Sequence, residues 1–245
     1  MLRRMFALLA LGALVAIPAS AQTLDEILAK NLQARGGADK LKAVQTIRLT
    51  GTMTVGPGME APFVVEQKRP NLVRTDFTIQ GMTGSQAYDG KTGWQIMPFG
   101  GRKDAEPMPE DQLKQVEEQA DFDGPLVDYK VKGHKVELIG KEKVEGSDAW
   151  KLKVTLKNGD TRYLYLDADQ YLEIRTEGKT TVRGTEIESQ STIGDYKEVN
   201  GIMIPFAVEQ GAKGSPQKMK MTIQKAELNV PIDGARFKMP TAAKQ

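Results

Sequence analysis

From Ile47 to Leu228 the apolar residues return at every second position, segment after segment, with turn-forming residues between the segments. Ile47, Leu49, Met53 and Val55 alternate with Arg48, Thr50, Thr52 and Thr54, the pattern of a strand buried on one face only. The same period runs through Phe63 to Lys68, Leu72 to Ile79, Gln86 to Tyr88 and Trp94 to Met97. It resumes at Val136 to Val144, Trp150 to Leu156, Arg162 to Leu166 and Tyr171 to Thr176. Longer segments follow at Glu186 to Val199, Met203 to Glu209 and Met219 to Leu228. Gly56-Pro57-Gly58, Asp89-Gly90, Asn158-Gly159 and Asn200-Gly201 mark tight turns, since glycine readily takes the positive φ that hairpin turns need. Connections this short imply antiparallel neighbours, and the spacing predicts roughly ten or eleven strands. One sheet of that width must curl or close. The fold class expected is therefore mainly β: a curved antiparallel sheet or partial barrel.

Helical spacing appears in two places. Thr23-Leu24-Asp25-Glu26 reads as a capping box, and Ile27, Leu28 and Leu32 continue an apolar stripe that Gly36-Gly37 stops. A further helical turn is expected over Asp39 to Val44. Pro109-Glu110-Asp111 opens a second helical stretch, with Leu113, Val116 and Ala120 on one face and Gly124-Pro125 at its end. The stretch from Pro98 to Pro109 reads as a long loop. These helices are available to cover the open side of the sheet.

The first residues give the address. Arg3 and Arg4 precede an apolar run from Met5 to Ile17, and Ala19-Ser20-Ala21 has the small-x-small pattern of a signal-peptidase site. Cleavage is expected between Ala21 and Gln22, leaving residues 22–245 as a single soluble periplasmic domain. The apolar run is shorter than the roughly 20 residues a membrane-spanning helix needs. With 0 Cys the mature chain has neither a lipid-anchoring cysteine nor a disulfide framework, so its core alone must hold it together. Arg3 and Arg4 account for the whole net charge of +2, and the balanced remainder argues against nucleic acid as a partner.

Catalytic chemistry is hard to build from these residues. The single His, His134, stands beside a turn glycine and reads as a solvated turn residue. Ser215 to Lys218 fits S-x-x-K and Lys91-Thr92-Gly93 fits K-T-G, but in reversed order and with no S-D-N between them. Asp167 and Asp169 lack the glycine and terminal glutamate of a calcium loop, which leaves a β-turn. Asp121 and Asp123 precede a Gly-Pro turn and read as solvated. No enzyme activity, metal or cofactor is expected. Strand parity instead puts Leu49, Met53, Phe63, Val65, Phe77, Ile79, Trp94, Ile96, Trp150 and Leu152 on one apolar face, as core or as the lining of a cavity for a greasy ligand.

Three segments carry a resemblance. Lys68-Arg69-Pro70-Asn71-Leu72 is followed some twenty positions later by Asp89-Gly90-Lys91-Thr92-Gly93-Trp94, and Ala235-Arg236-Phe237-Lys238-Met239-Pro240 stands near the end. Following a secretory signal and an amphipathic helix, this series resembles the periplasmic carriers that sort lipoproteins to the outer membrane, the LolA-like family. Tyr196 to Pro205 is similar to its more divergent members. The residue after K-R-P-N-L is typically aromatic in that family and is Val73 here. The resemblance implies an incomplete antiparallel β-barrel whose concave apolar face is covered by short helices. It implies a cavity for lipoprotein acyl chains or another lipid, with Arg69 latching the helical lid by hydrogen bonds. It also implies an inner-membrane release complex and an outer-membrane receptor as partners. The alternative is an envelope binding or sensor module of the same fold that carries nothing.

Overall fold

The computed structural model describes residues 22–56, 58–101, 103–182 and 185–241, so the leader expected over residues 1–21 lies outside the described residues. The chain opens with helices α1 (Leu24–Ala34) and α2 (Ala38–Ala43). The capping box is formed: the Glu26 N–H donates to Thr23 Oγ1, and the Thr23 N–H donates to Glu26 Oε2. Then come β1 (Thr46–Gly56), β2 (Met59–Lys68), β3 (Leu72–Ile79), β4 (Met82–Tyr88), β5 (Gly93–Ile96) and the two-residue β6 (Glu106–Pro107). Helix α3 (Glu110–Ala120) interrupts the sheet strands. The series continues with β7 (Lys135–Val144), β8 (Ser147–Thr155), β9 (Thr161–Asp167), β10 (Glu173–Val182), β11 (Thr185–Val199), β12 (Ile202–Ala212) and β13 (Met219–Leu228).

All thirteen strands form one antiparallel sheet in the order β6-β5-β4-β3-β2-β1-β13-β12-β11-β10-β9-β8-β7. Against the roughly ten or eleven strands expected, the twelve segments named from the alternation each form a strand, β1–β5 and β7–β13, and the thirteenth is β6, paired only through Trp94↔Pro107 and Gln95↔Glu106. The segment expected to be a long loop before α3 holds that strand and a 3-10 turn at Pro98–Gly100.

The topology explains the lid. β1 pairs with β13, so the first and last strands meet in the middle of the sheet (Ile47↔Leu228 to Met53↔Met221). The two edges, β6 and β7, are then consecutive in sequence. The chain between them has to travel from one edge of the sheet to the other, and α3 rides on that crossing. Helices α1 and α2 lead into the central strand and pack on the same face as α3. The result is an open, incomplete barrel with a helical lid, as expected.

Two sets of side chains divide the sheet. On the lid side, Met53, Ala61, Phe63, Ile202, Ile204, Phe206 and Ile223 pack with Leu41 and Val44 of the α2 region. Farther along the same face Trp150, Leu152, Val154, Leu164 and Leu166 pack on Ile27 of α1. Val73, Tyr88 and Met108 meet Val116 and Ala120 of α3. Each such large apolar side chain taken out of water contributes about 1.5–3 kcal/mol. Gly51 is needed where β1 shifts register against β13, because a Cβ there would stand 2.0 Å from the Thr222 carbonyl oxygen.

The opposite face is crossed by the C-terminal segment. Thr46 Oγ1 donates to the Val230 carbonyl, Lys68 Nζ to that of Ile232, and Trp94 Nε1 to that of Phe237 at 2.8 Å. Beneath it the Glu66 carboxylate, 4% exposed, takes Arg48 at 2.9 Å and Arg236 at 2.6 Å.

Candidate functional site

Arg69 stands just beyond β2, where Pro70 turns the chain away from the sheet. Its Nε donates to the Val44 carbonyl at 2.7 Å and its Nη2 to the Leu41 carbonyl at 2.8 Å, which are the last acceptors of α2. The other edge of the guanidinium meets Asp123 in a two-point pair, Nη1 to Oδ2 at 2.7 Å and Nη2 to Oδ1 at 2.6 Å. The same group lies over the Phe122 ring, 4.3 Å from its centroid. Arginine suits this position because its planar, five-donor cation reaches two carbonyls at the end of α2 and a carboxylate together.

The segment Asp121 to Gly124 is held by two more cations. Arg35, the C-cap of α1, donates through Nη1 to the Asp123 carbonyl at 2.9 Å. Lys132 Nζ reaches Asp121 Oδ1 at 2.6 Å and the Gly124 carbonyl at 2.7 Å. Asp121 and Asp123 are thus not solvated as their place before a turn suggests: the Asp123 carboxylate joins α3's exit to the β2 end, and that of Asp121 is paired with Lys132 of the loop that follows. Burial pushes the Asp123 carboxyl up, but the hydrogen bonds and charge of Arg69 outweigh it and hold the group below the usual carboxylate range. Phe122 turns inward from this clasp and joins the apolar face around Phe63 and Phe206.

The residues picked out by parity divide cleanly. Leu49, Met53, Phe63, Val65, Phe77 and Ile79 all pack into the lid-side cluster. Trp150 and Leu152 lie on the same face beneath α1. Trp94 and Ile96 do not join them. The register Arg74↔Ala87↔Trp94 sets Trp94 on the opposite face, under Phe237 and within 5.3 Å of the Arg74 guanidinium. Ile96, opposite Ser85, shares that face. An apolar strand residue reads alike from either side, and here the terminal segment supplies a second apolar cover.

The lid-side face is filled by its own side chains in this closed form. Two wide clefts open beside it. One of about 940 Å³ opens between α3 and the ends of β8–β11, lined by Lys114, Glu118, Arg162, Lys179, Glu188 and other charged groups. Another of about 770 Å³ runs between Ala43–Thr46 and Asn229–Asp233.

Overall likeness to known structures follows this geometry. No protein-family model matches the chain, and no curated protein matches it. Among solved structures, a LolA superfamily protein from Nitrosomonas europaea matches at a TM-score of 0.59 and 14% identity, over 89% of this chain and 98% of that one. The fold is similar to that of the LolA superfamily. A DUF1329 family protein from Desulfovibrio piger matches at a TM-score of 0.62 and 12% identity, over 89% of this chain and 98% of its own. A domain assigned to outer membrane lipoprotein sorting, from Vibrio parahaemolyticus, matches at 0.54 and 11%, over 86% and 97%.

Within this LolA-like fold the short motifs that suggested catalysis or calcium are turns. Asp89 Oδ1 accepts from the N–H groups of Lys91 and Thr92. Asp167 Oδ1 accepts from those of Asp169 and Gln170, and Ser215 Oγ from that of Gln217. His134 is more engaged than a solvated turn residue, since its Nδ1 accepts from the Lys157 N–H at 3.0 Å. Burial also pushes its imidazole below the usual value. Sequence reading missed Arg35, Phe122, Asp123 and Lys132. Arg35 and Asp123 have partners 88 and 54 positions away in the chain, and only the Asp-Phe-Asp spacing before Gly124 hints at a clasp.

Proposed function

We propose that the mature chain, residues 22–245, is a periplasmic, non-enzymatic carrier that shelters acyl chains of a lipoprotein or another lipid on its lid-side apolar face. The observation that carries this reading is the apolar face itself. It is continuous from Val65 and Phe77 to Met221 and Ile223, covered by helices, and fastened by a few polar contacts centred on Arg69. Each CH₂ moved from water to such a face gains about 0.8 kcal/mol, so acyl chains need shelter of this kind to cross an aqueous space. Arg69 acts as the latch. Hydrogen bonds worth about 1 kcal/mol net each hold the helices down yet let them lift without a large energy input. Cargo displaces the side chains that fill the closed form. The leader up to Ala21 directs export, and an inner-membrane donor and an outer-membrane acceptor are the partners such a carrier needs.

A second reading has one observation in its favour. The cleft of about 940 Å³ beside α3 is lined largely by charged groups, which suits a module that binds a polar partner and carries nothing. Mass spectrometry of material co-purifying with the protein from a periplasm separates the two. Near-stoichiometric acylated peptide or phospholipid, altered in Arg69→Leu, is expected of the carrier. A clean protein that also ignores a fluorescent acyl probe belongs to the second reading.

A further inference from the structure

The lid-side face carries one donor that the fold leaves unused. The Trp150 indole Nε1 is buried and has no hydrogen-bond partner among the described residues. Trp150 itself is 8% exposed, packed with Ile27, Leu126 and Leu166 under α1. A buried N–H left unpaired costs about 1–3 kcal/mol, so its retention asks for an explanation. Trp94 is the contrast, since its indole N–H is satisfied by the Phe237 carbonyl.

The surroundings of Trp150 are cationic at their rim. Lys141 is its direct cross-strand neighbour, with Nζ 4.5 Å from the ring centroid. Tyr171, packed against the same cluster, accepts a hydrogen bond from Lys30 Nζ at 3.1 Å. That hydrogen bond, one from Gln22 and the charges of Lys30 and Lys141 push the Tyr171 phenol below its usual range, which marks a positive potential here. An apolar floor, an unpaired donor and two ammonium groups at the edge together match one kind of ligand.

We propose that Trp150 and Lys141 form a second ligand subsite, for the oxyanion head of an acyl chain. The indole N–H donates to a carboxylate or phosphate oxygen and Lys141 neutralises the charge. The tail lies among Ile27, Leu126 and Leu152 once α1 lifts. The subsite rests on the carrier reading for its tail, and it adds a head-group preference that a purely apolar face lacks.

Trp94→Phe leaves Trp150 as the sole tryptophan, so its emission reports this position alone. Palmitate, lysophosphatidic acid and hexadecanol are titrated against that protein, and against the same protein with Lys141→Gln. The anionic probes are expected to shift the emission and to bind about tenfold more weakly after Lys141→Gln, the loss of one charge-assisted contact, while hexadecanol is unchanged. The tighter of the two anions identifies carboxylate or phosphate as the head. Equal binding of hexadecanol and the anions, or no effect of Lys141→Gln, overturns the subsite. So does an unmoved emission while a fluorescent acyl probe still binds, which leaves the carrier reading standing. If that probe also fails to bind, both fall. Displacement of the probe by palmitate from wild-type and Lys141→Gln protein gives the same comparison without the Trp94 substitution.

Discussion

Arg69 and Asp123 form the ion pair proposed to latch the lid, and each residue is only a fifth exposed at its side chain (20% and 20%). Arg69→Leu leaves the Asp123 carboxylate without its main partner and takes a hydrogen bond from each of the Leu41 and Val44 carbonyls. A loss of about 1–3 kcal/mol in urea unfolding is expected, and the Arg69→Leu/Asp123→Leu pair is expected to cost less than the two single changes summed. The pH dependence has a definite sign. Because the folded state holds Asp123 below the ordinary carboxylate range, its contribution is present above the unfolded value and is lost as pH falls through the folded one. Asp123→Asn is therefore less stable than wild type at neutral pH, and the gap closes in acid. Glu173 behaves the other way. Burial raises its carboxyl, the Thr176 hydroxyl donates to it, and Arg35 is near. Its contribution is full below the unfolded value and is lost as pH rises through the raised one, so Glu173→Gln is expected to gain on wild type toward neutral pH. Urea midpoints measured across pH check both signs.

At the scale of elements, α1 and the C-terminal segment are held by local chemistry that can be removed singly. Thr23→Ala removes the cap and its reciprocal bond with Glu26, and about 1 kcal/mol of stability with it. Truncation after Asn229 removes the segment that covers Trp94. Its indole loses the Phe237 carbonyl, and a red-shifted Trp94 emission in a Trp150→Phe background is expected. Much of this level was legible in the residues. The Thr23-x-x-Glu26 box, the Leu113–Val116–Ala120 stripe and the Asn-Gly turn at residues 200–201 are local signals, and each element formed where its signal stood. The faces of the end strands were not legible. Trp94 and Ile96 keep the right period, but which side receives a cover depends on residues 229–241, more than a hundred positions away.

Over the whole molecule, the closure of β1 on β13 is the feature alternation cannot reveal, because period two says that strands pair and not which ones. Once that pair is made, the edges become β6 and β7, and the crossing between them puts α3 over the sheet. The clasp at Asp121 to Gly124 is a product of this topology, which is why its members read in sequence as ordinary turn residues. Gly51→Ala tests the central pair: with no room for a Cβ against Thr222, a loss of about 1–3 kcal/mol is expected in urea unfolding. The claim that this closed, apolar face opens to take acyl chains is tested most directly with a photoactivatable fatty-acyl probe and peptide mapping of the labelled protein. Labels on Met53, Phe63 and Val65, with none on the opposite face around Trp94 and Arg74, are the expected result. Labels confined to the outer face or the charged cleft beside α3, or an unlabelled protein, would contradict the account.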